Sequence, residues 1–146
     1  PPNRAFLLWQ AFARFSPVLP IGILMQVATV RWLPRAVLRA YTAPFANRAA
    51  KAGARVMPAL VPNSKDDPAV PAMRATFRAL RRWDKPAIVM FSDKDPILGG
   101  LDTIFRRLIP PAQEQPVINI ENAGHFLQED QGELIAQHIL DFIARS

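Results

Sequence analysis

Lys85-Pro86-Ala87-Ile88-Val89-Met90-Phe91-Ser92-Asp93-Lys94-Asp95-Pro96 holds a short unbroken apolar run between a proline and a polar loop. A run of this length, without helical periodicity, predicts a strand buried on both faces of a parallel sheet. The pattern recurs about thirty residues on: Pro116-Val117-Ile118-Asn119-Ile120 predicts a second strand, followed by the loop Glu121-Asn122-Ala123-Gly124-His125-Phe126. Residues 101–109 between them, and 128–145 after them, predict helices. The order is strand, loop, helix, strand, loop, helix, with a right-handed crossover expected for the parallel pair. Two strands do not make a stable sheet alone, so further strands are expected beside them.

Upstream the pattern changes. Residues 4–15 place Phe6, Leu7, Leu8, Phe12 and Phe15 at helical recurrence, and Pro17 ends the run. Residues 21–30, 34–41 and 47–56 continue as short helices divided by prolines, none long enough to be stable without packing partners. The turn-rich Pro62-Asn63-Ser64-Lys65-Asp66-Asp67-Pro68 marks the boundary between a helical region, 1–67, and a β-α-β-α region, 68–146. An amphipathic helix over 69–83 opens the second region.

Composition excludes several classes. With 146 residues the chain has room for one ordinary domain. Half of it is hydrophobic, which argues for a packed core over disorder. It has no Cys and only two His, too few for a zinc or iron–sulfur site, so no metal is expected. The longest largely apolar stretch, 17–30, falls short of the roughly 20 residues needed to span a bilayer, and no leader pattern precedes it. Those features suggest the cytoplasm, and the Pro1-Pro2-Asn3 opening, without Met, suggests a processed product or the tail of a longer protein.

Charge is unevenly placed. Residues 1–65 hold nine Lys or Arg and no acid, whereas 66–146 hold nine basic and twelve acidic residues, giving a net charge of +6. A one-signed half can attract phosphate. The aromatics, however, are not interleaved with the basic residues as a base-stacking surface requires, and no nucleic-acid motif is present. An Arg-rich solvated helical surface is the reading preferred here.

In open parallel sheets, ligands bind beyond the carboxyl ends of the strands, where both polar loops are expected. One loop offers Asp93 and Asp95, the other His125. A carboxylate beside an imidazole suits a general base and its orienting acid, since the acid fixes the tautomer and stabilises the imidazolium. Placement alone leaves Asp93 and Asp95 both open as that acid. His138, in mid-helix, reads as a surface or packing residue, and Trp32, Trp83 and the phenylalanine stripe read as core.

An acid after one late strand, Gly-His after the last, and a terminal helix resemble the C-terminal portion of the α/β-hydrolase fold. AGHFLQED (residues 123–130), SDKDPI (92–97), Ala40-Tyr41-Thr42-Ala43-Pro44-Phe45, Lys51-Ala52-Gly53-Ala54-Arg55 and the Pro58, Leu60, Val61, Pro62 stretch resemble haloalkane dehalogenases over nearly the whole chain. The resemblance implies a helical cap at 1–67, then the last two parallel strands and their helices at 68–146. It implies Asp95 as catalytic acid, His125 as catalytic base, Trp9 as a halide-binding indole donor, and Phe6 and Pro58 as pocket-lining residues. It further implies hydrolysis of carbon–halogen bonds through an alkyl-enzyme ester. The partners would be a small halogenated alkane, water and halide, with no cofactor, no nucleic acid, no membrane and a monomeric complete protein. Thr42, Ala46-Asn47-Arg48 and Met57 depart from the family's usual residues, which bears on pocket shape. No Gly-x-Asp-x-Gly or Gly-x-Ser-x-Gly elbow occurs among residues 1–146, so the expected attacking Asp and the Trp beside it are not found here. An epoxide hydrolase or another α/β-hydrolase, and a non-catalytic interaction fragment, stand as alternatives. The single tyrosine, Tyr41, cannot supply the tyrosine pair expected of an epoxide hydrolase.

Overall fold

Two apolar runs meet as neighbouring parallel strands in the computed structural model, which describes residues 4–146, the Ala5 side chain apart. β1 (Met90–Ser92) pairs with β2 (Ile118–Ile120) in the register Met90↔Ile118, Phe91↔Asn119, Ser92↔Ile120. The ladder is shorter than the apolar runs that announce it. Residues 87–89 and Val117 precede the paired rungs, and Val117 is largely exposed.

The helices follow the prolines. α1 (Arg4–Phe15), α2 (Ile21–Val27), α3 (Arg35–Thr42), α4 (Ala52–Val56) and α5 (Val70–Leu80) precede the sheet. Short 3-10 helices at Ala43–Phe45 and Met57–Leu60 each carry a proline in their first turn, where a missing N–H costs nothing. α6 (Leu101–Leu108), α7 (Pro110–Gln113) and α8 (Leu127–Arg145) belong to the β-α-β-α part. α7 has no counterpart among the sequence expectations; its two leading prolines start a turn where they would otherwise stop one. Three expected helices are shorter than their periodicity, the one expected over 69–83 ending at Leu80. Residues 28–30 leave the helical path, and residues 47–51 form turns in which Asn47 Oδ1 accepts the Ala50 N–H at 3.0 Å.

The chain divides into two compact units: residues up to Met25 with Pro34–Ala75, and Gln26–Leu33 with Thr76–Ser146. In the first, α1 packs against α4 and Met57–Leu60. Gln10 and Ala13 form the buried face of α1, whereas Phe12 and Phe15 are 41% and 74% exposed. The expected phenylalanine core is therefore corrected: the packed face lies on Gln10 and Ala13, turned away from the Phe12–Phe15 side. The Gln10 side chain can be buried because both ends of its amide are hydrogen-bonded, Nε2 donating to the Pro58 carbonyl at 2.6 Å and Oε1 accepting from Asn63 Nδ2 at 2.8 Å.

In the second unit, Val89, Leu108, Ala112, Ile120 and Ala123 are buried, and Phe91 of β1 stacks on Phe105 of α6 with ring centres 6.1 Å apart. Residues 26–33 form a strap folded by one side chain: Gln26 Oε1 accepts the Leu33 N–H at 2.9 Å and Nε2 donates to the Arg31 carbonyl at 3.0 Å. Leu33 is buried by this fold, but Trp32 is 82% exposed and Trp83 45%. Both tryptophans expected in the core are thus at the surface, because the turns that bury Leu33 and end α5 carry their neighbours outward. No helix among the described residues is long and apolar enough to cross a membrane. Residues 1–3, at the head of the expected cap, lie outside the described residues.

Candidate active site

The loop leaving β1 turns immediately. Asp95 builds the turn itself: Oδ1 accepts the Ile97 N–H at 2.8 Å and the Leu98 N–H at 3.2 Å. Gly99 closes it with an N–H to the Asp95 carbonyl, and a Cβ at this glycine would stand 2.7 Å from that same oxygen. The other carboxylate oxygen, Oδ2, is then aimed at the loop after β2, where it meets His125 Nδ1 at 2.9 Å. The Asp95 side chain is 5% exposed and that of His125 30%.

The electrostatics of the pair have a clear direction. Burial works against an ionised Asp95, but the hydrogen bond from His125, the N–H groups of Ile97 and Leu98 and the charge on His125 outweigh it and hold the carboxyl below the usual aspartate range. An ionised carboxylate only accepts, so Nδ1 is the ring nitrogen that donates to Asp95, and in the neutral form of that ring Nε2 carries the lone pair. An imidazole in this tautomer can remove a proton from water and return it, while Asp95 stabilises the cation formed.

The His125 loop is held at three consecutive residues by three different carboxylates. Asp93 Oδ1 accepts the Ala123 N–H at 3.1 Å, Asp130 Oδ2 accepts the Gly124 N–H at 2.8 Å, and Asp95 takes His125. Asn122, with φ of 56°, makes the left-handed corner that starts the loop, and Lys94 Nζ donates to its side-chain oxygen at 2.9 Å. Asp93 is the alternative acid raised by the sequence; it faces the backbone of Ala123 and does not touch His125. Its carboxyl is held low chiefly by that Ala123 N–H.

The remaining expected residues lie in the first unit. Phe6 and Trp9 stand on α1, both half-buried, and the Trp9 ring lies 6.0 Å from that of Phe12. Half-buried Pro58 is in the segment that Gln10 ties to α1. A cavity of about 610 Å³ in this unit is lined by Arg14, Arg48, Arg55 and their small neighbours, and not by Phe6, Trp9 or Pro58. His138 is half-buried within α8, in keeping with a packing residue. Among the described residues, no three His, Asp or Glu side chains converge as a metal site would require.

Sequence reasoning did not single out Asp130 or Gln10. An acid four residues into a helix reads as a dipole partner, and a glutamine on a helix face as a solvated residue. Only their long-range backbone partners mark them out.

Parallel strands with an acid and a histidine bonded across the loops at their carboxyl ends define a class: the C-terminal portion of an α/β-hydrolase fold. No model of a known protein family matches the chain. Its homologues are haloalkane dehalogenases, and the chain is similar to them over nearly all of its own length. It is 50% identical to the haloalkane dehalogenase of Mycobacterium marinum over 138 residues, which are 94% of this chain and 46% of the relative. It is 44% identical to that of Psychrobacter cryohalolentis over 141 residues, 97% of this chain and 46% of the relative. Among solved structures, the tetrameric haloalkane dehalogenase DpaA from Paraglaciecola agarilytica NO2 superposes with a TM-score of 0.82 at 27% identity, over 94% of this chain and 46% of that one. DatA from Agrobacterium tumefaciens C58 shares the fold at a TM-score of 0.77 and 19% identity, over 98% of this chain and 52% of that one. The chain spans about half the length of the curated relatives it matches.

Proposed function

We propose that this chain is the acid–base and cap part of a haloalkane dehalogenase-type hydrolase, with residues 1–67 as cap and 68–146 as core. The observation that carries the proposal is the 2.9 Å bond between Asp95 and His125 at the ends of adjacent parallel strands, within a chain 50% identical to haloalkane dehalogenases. The assigned roles are Asp95 as catalytic acid, His125 as base, Trp9 as halide donor, and Phe6 and Pro58 as pocket walls.

In this reading an Asp carboxylate supplied by the part of the relatives that this chain does not span displaces halide from a saturated carbon. An alkyl ester forms and the carbon–halogen bond breaks with both electrons leaving on the halide. An indole N–H such as that of Trp9 stabilises the charge gathering there. His125 Nε2 then takes a proton from water as the water oxygen attacks the ester carbonyl, releasing alcohol and restoring the Asp. Asp95 holds the imidazolium until its proton is passed on. The substrates are a small halogenated alkane and water, with neither metal nor cofactor, nucleic acid nor membrane taking part; the complete protein is a cytoplasmic monomer. The 146-residue chain alone is inactive, because His125 can activate water only against an ester that no residue on a nucleophile elbow here can form.

The test joins the part of the Mycobacterium marinum relative that this chain does not span ahead of Pro1 and measures halide release from bromoalkanes. Turnover by the joined protein that disappears in His125→Ala is expected, and none from the 146-residue chain. A folded joined protein that releases no halide would sink the reading, and turnover by the short chain above its own His125→Ala control would sink the claim of inactivity.

A further inference from the structure

We propose that Asp130 is a positioning residue for His125, clamping the His125 loop to the 26–33 strap. Its carboxylate meets the backbone on both sides. Oδ1 accepts the N–H groups of Val30 and Arg31 at 3.0 and 2.9 Å, while Oδ2 accepts those of Val30 and Gly124 at 3.0 and 2.8 Å. One side chain therefore joins segments about a hundred residues apart in sequence, and one of its partners directly precedes His125.

Three further contacts close the same seam. The Phe126 N–H, immediately after His125, donates to the Ala28 carbonyl at 3.2 Å. Arg31 Nη1 donates to the Glu129 carbonyl at 3.2 Å. At Gly124 the two backbones touch: a Cβ there would lie 2.6 Å from the Ala28 oxygen and 3.3 Å from the Thr29 Cα. Both neighbours of His125 are thus tied to the strap–Asp130 assembly, and the imidazole is delivered to Asp95 by a backbone with little freedom to retreat. The kink of α8 at Gln131, where φ is −137° and ψ 38°, follows directly on Asp130 and separates the turn that carries the clamp from the long helix behind it.

The carboxylate is needed as such. An asparagine has one accepting oxygen, which in the Oδ1 place gives up Gly124 and in the Oδ2 place gives up Arg31, whereas an alanine gives up all three N–H groups. Catalytic meaning rests on the reading of His125 as the base, but the geometry can be tested without turnover. The 15N-labelled chain is examined by long-range 1H–15N spectra of its two imidazoles, with His138 as internal reference, together with amide hydrogen exchange. In the parent, His125 is expected to show a downfield Nδ1 proton from its bond to Asp95. In Asp130→Ala that resonance should be lost to exchange, while the Gly124 amide exchanges at least tenfold faster and His138 does not move. Asp130→Glu, which keeps charge and both oxygens one methylene further out, should leave the fold intact and shift the His125 proton upfield; it decides the matter if the alanine variant does not fold. Faster exchange at residues 30, 31 and 124 with an unmoved His125 resonance would overturn the proposal and leave His125 as base. A parent with no such resonance would remove the Asp95–His125 pair, and both readings with it.

Discussion

Arg55 offers a direct contest between two physical effects. It is 8% exposed, and among the described residues its hydrogen-bond partners are carbonyl oxygens at and just beyond the end of α1. Nη1 donates to Ala13 at 3.1 Å and Ser16 at 2.7 Å, and Nη2 reaches Pro17 at 3.5 Å, while Nε is buried with no hydrogen-bond partner among the described residues. Carbonyls at a helix end lack helical partners and carry the negative end of the dipole, which suits a cation there. Arg55→Met keeps the unbranched length but leaves the Ala13 and Ser16 oxygens without donors, at about 1–3 kcal/mol each for groups that stay buried. Against this stands relief from burying a cation, worth several kcal/mol, and from the idle Nε. Because the carbonyls remain in place after substitution, the loss should win by about 2 kcal/mol, with Arg55→Lys intermediate since an ammonium cannot fork to two oxygens in the guanidinium's fixed geometry. Urea unfolding followed by tryptophan fluorescence and far-ultraviolet circular dichroism measures the difference, provided the slope with urea is unchanged. A methionine variant as stable as the parent would refute the reasoning and show that desolvation of the guanidinium cancels its bonds.

Acid should destabilise the protein through Asp95 and Asp93. Their folded pKa values lie below the unfolded value of about 3.9, so the stability they contribute is present above that pH and is lost as pH falls through the folded values. Asp95→Asn should flatten the pH dependence of the urea midpoint below about pH 4; a midpoint that falls as steeply as the parent's would contradict this. Gly124→Ala should cost about 1–3 kcal/mol, because its Cβ meets fixed backbone, whereas Gly132→Ala, with nothing within 4 Å, should be neutral or gain about 0.5–1 kcal/mol. In the joined protein, Trp9→Phe removes an indole donor and should weaken halide binding about tenfold, for a lost charge-assisted bond of roughly 1.5–3 kcal/mol. Fluorescence quenching by bromide reads this, with Trp32→Phe and Trp83→Phe as controls, and unchanged affinity would take Trp9 out of the site.

The parallel pair was legible because a buried strand and the loop after it differ in composition. Residues 87–91 and 116–120 announce themselves as largely apolar runs, the second interrupted by Asn119, and each is followed by a polar loop. The extent of pairing was not legible, since a rung exists only where a neighbour supplies it, and Met90–Ser92 meets Ile118–Ile120 over three residues only. Periodicity misled on α1 for a related reason. It finds an apolar stripe but not the face that will be packed, and here the face carrying Gln10 and Ala13 is buried because Pro58 and Asn63 satisfy the glutamine. Trp32 likewise follows from the strap: once Gln26 folds residues 26–33 over its amide, Leu33 turns inward and its neighbour outward.

Within the site, Asp93, Asp95 and Asp130 are chemically identical side chains, and the sequence ranked the first two only through the resemblance to haloalkane dehalogenases. Their roles separate by which donor each meets. Asp95 Oδ2 meets an imidazole, so a proton can be shared and moved along that bond. Asp93 and Asp130 meet backbone N–H groups, which do not titrate, so they can only fix where Ala123 and Gly124 lie. In the proposed reading, the acid that does chemistry is the one whose partner has a second ring nitrogen. The other two matter because that nitrogen is useful only while its ring is held still.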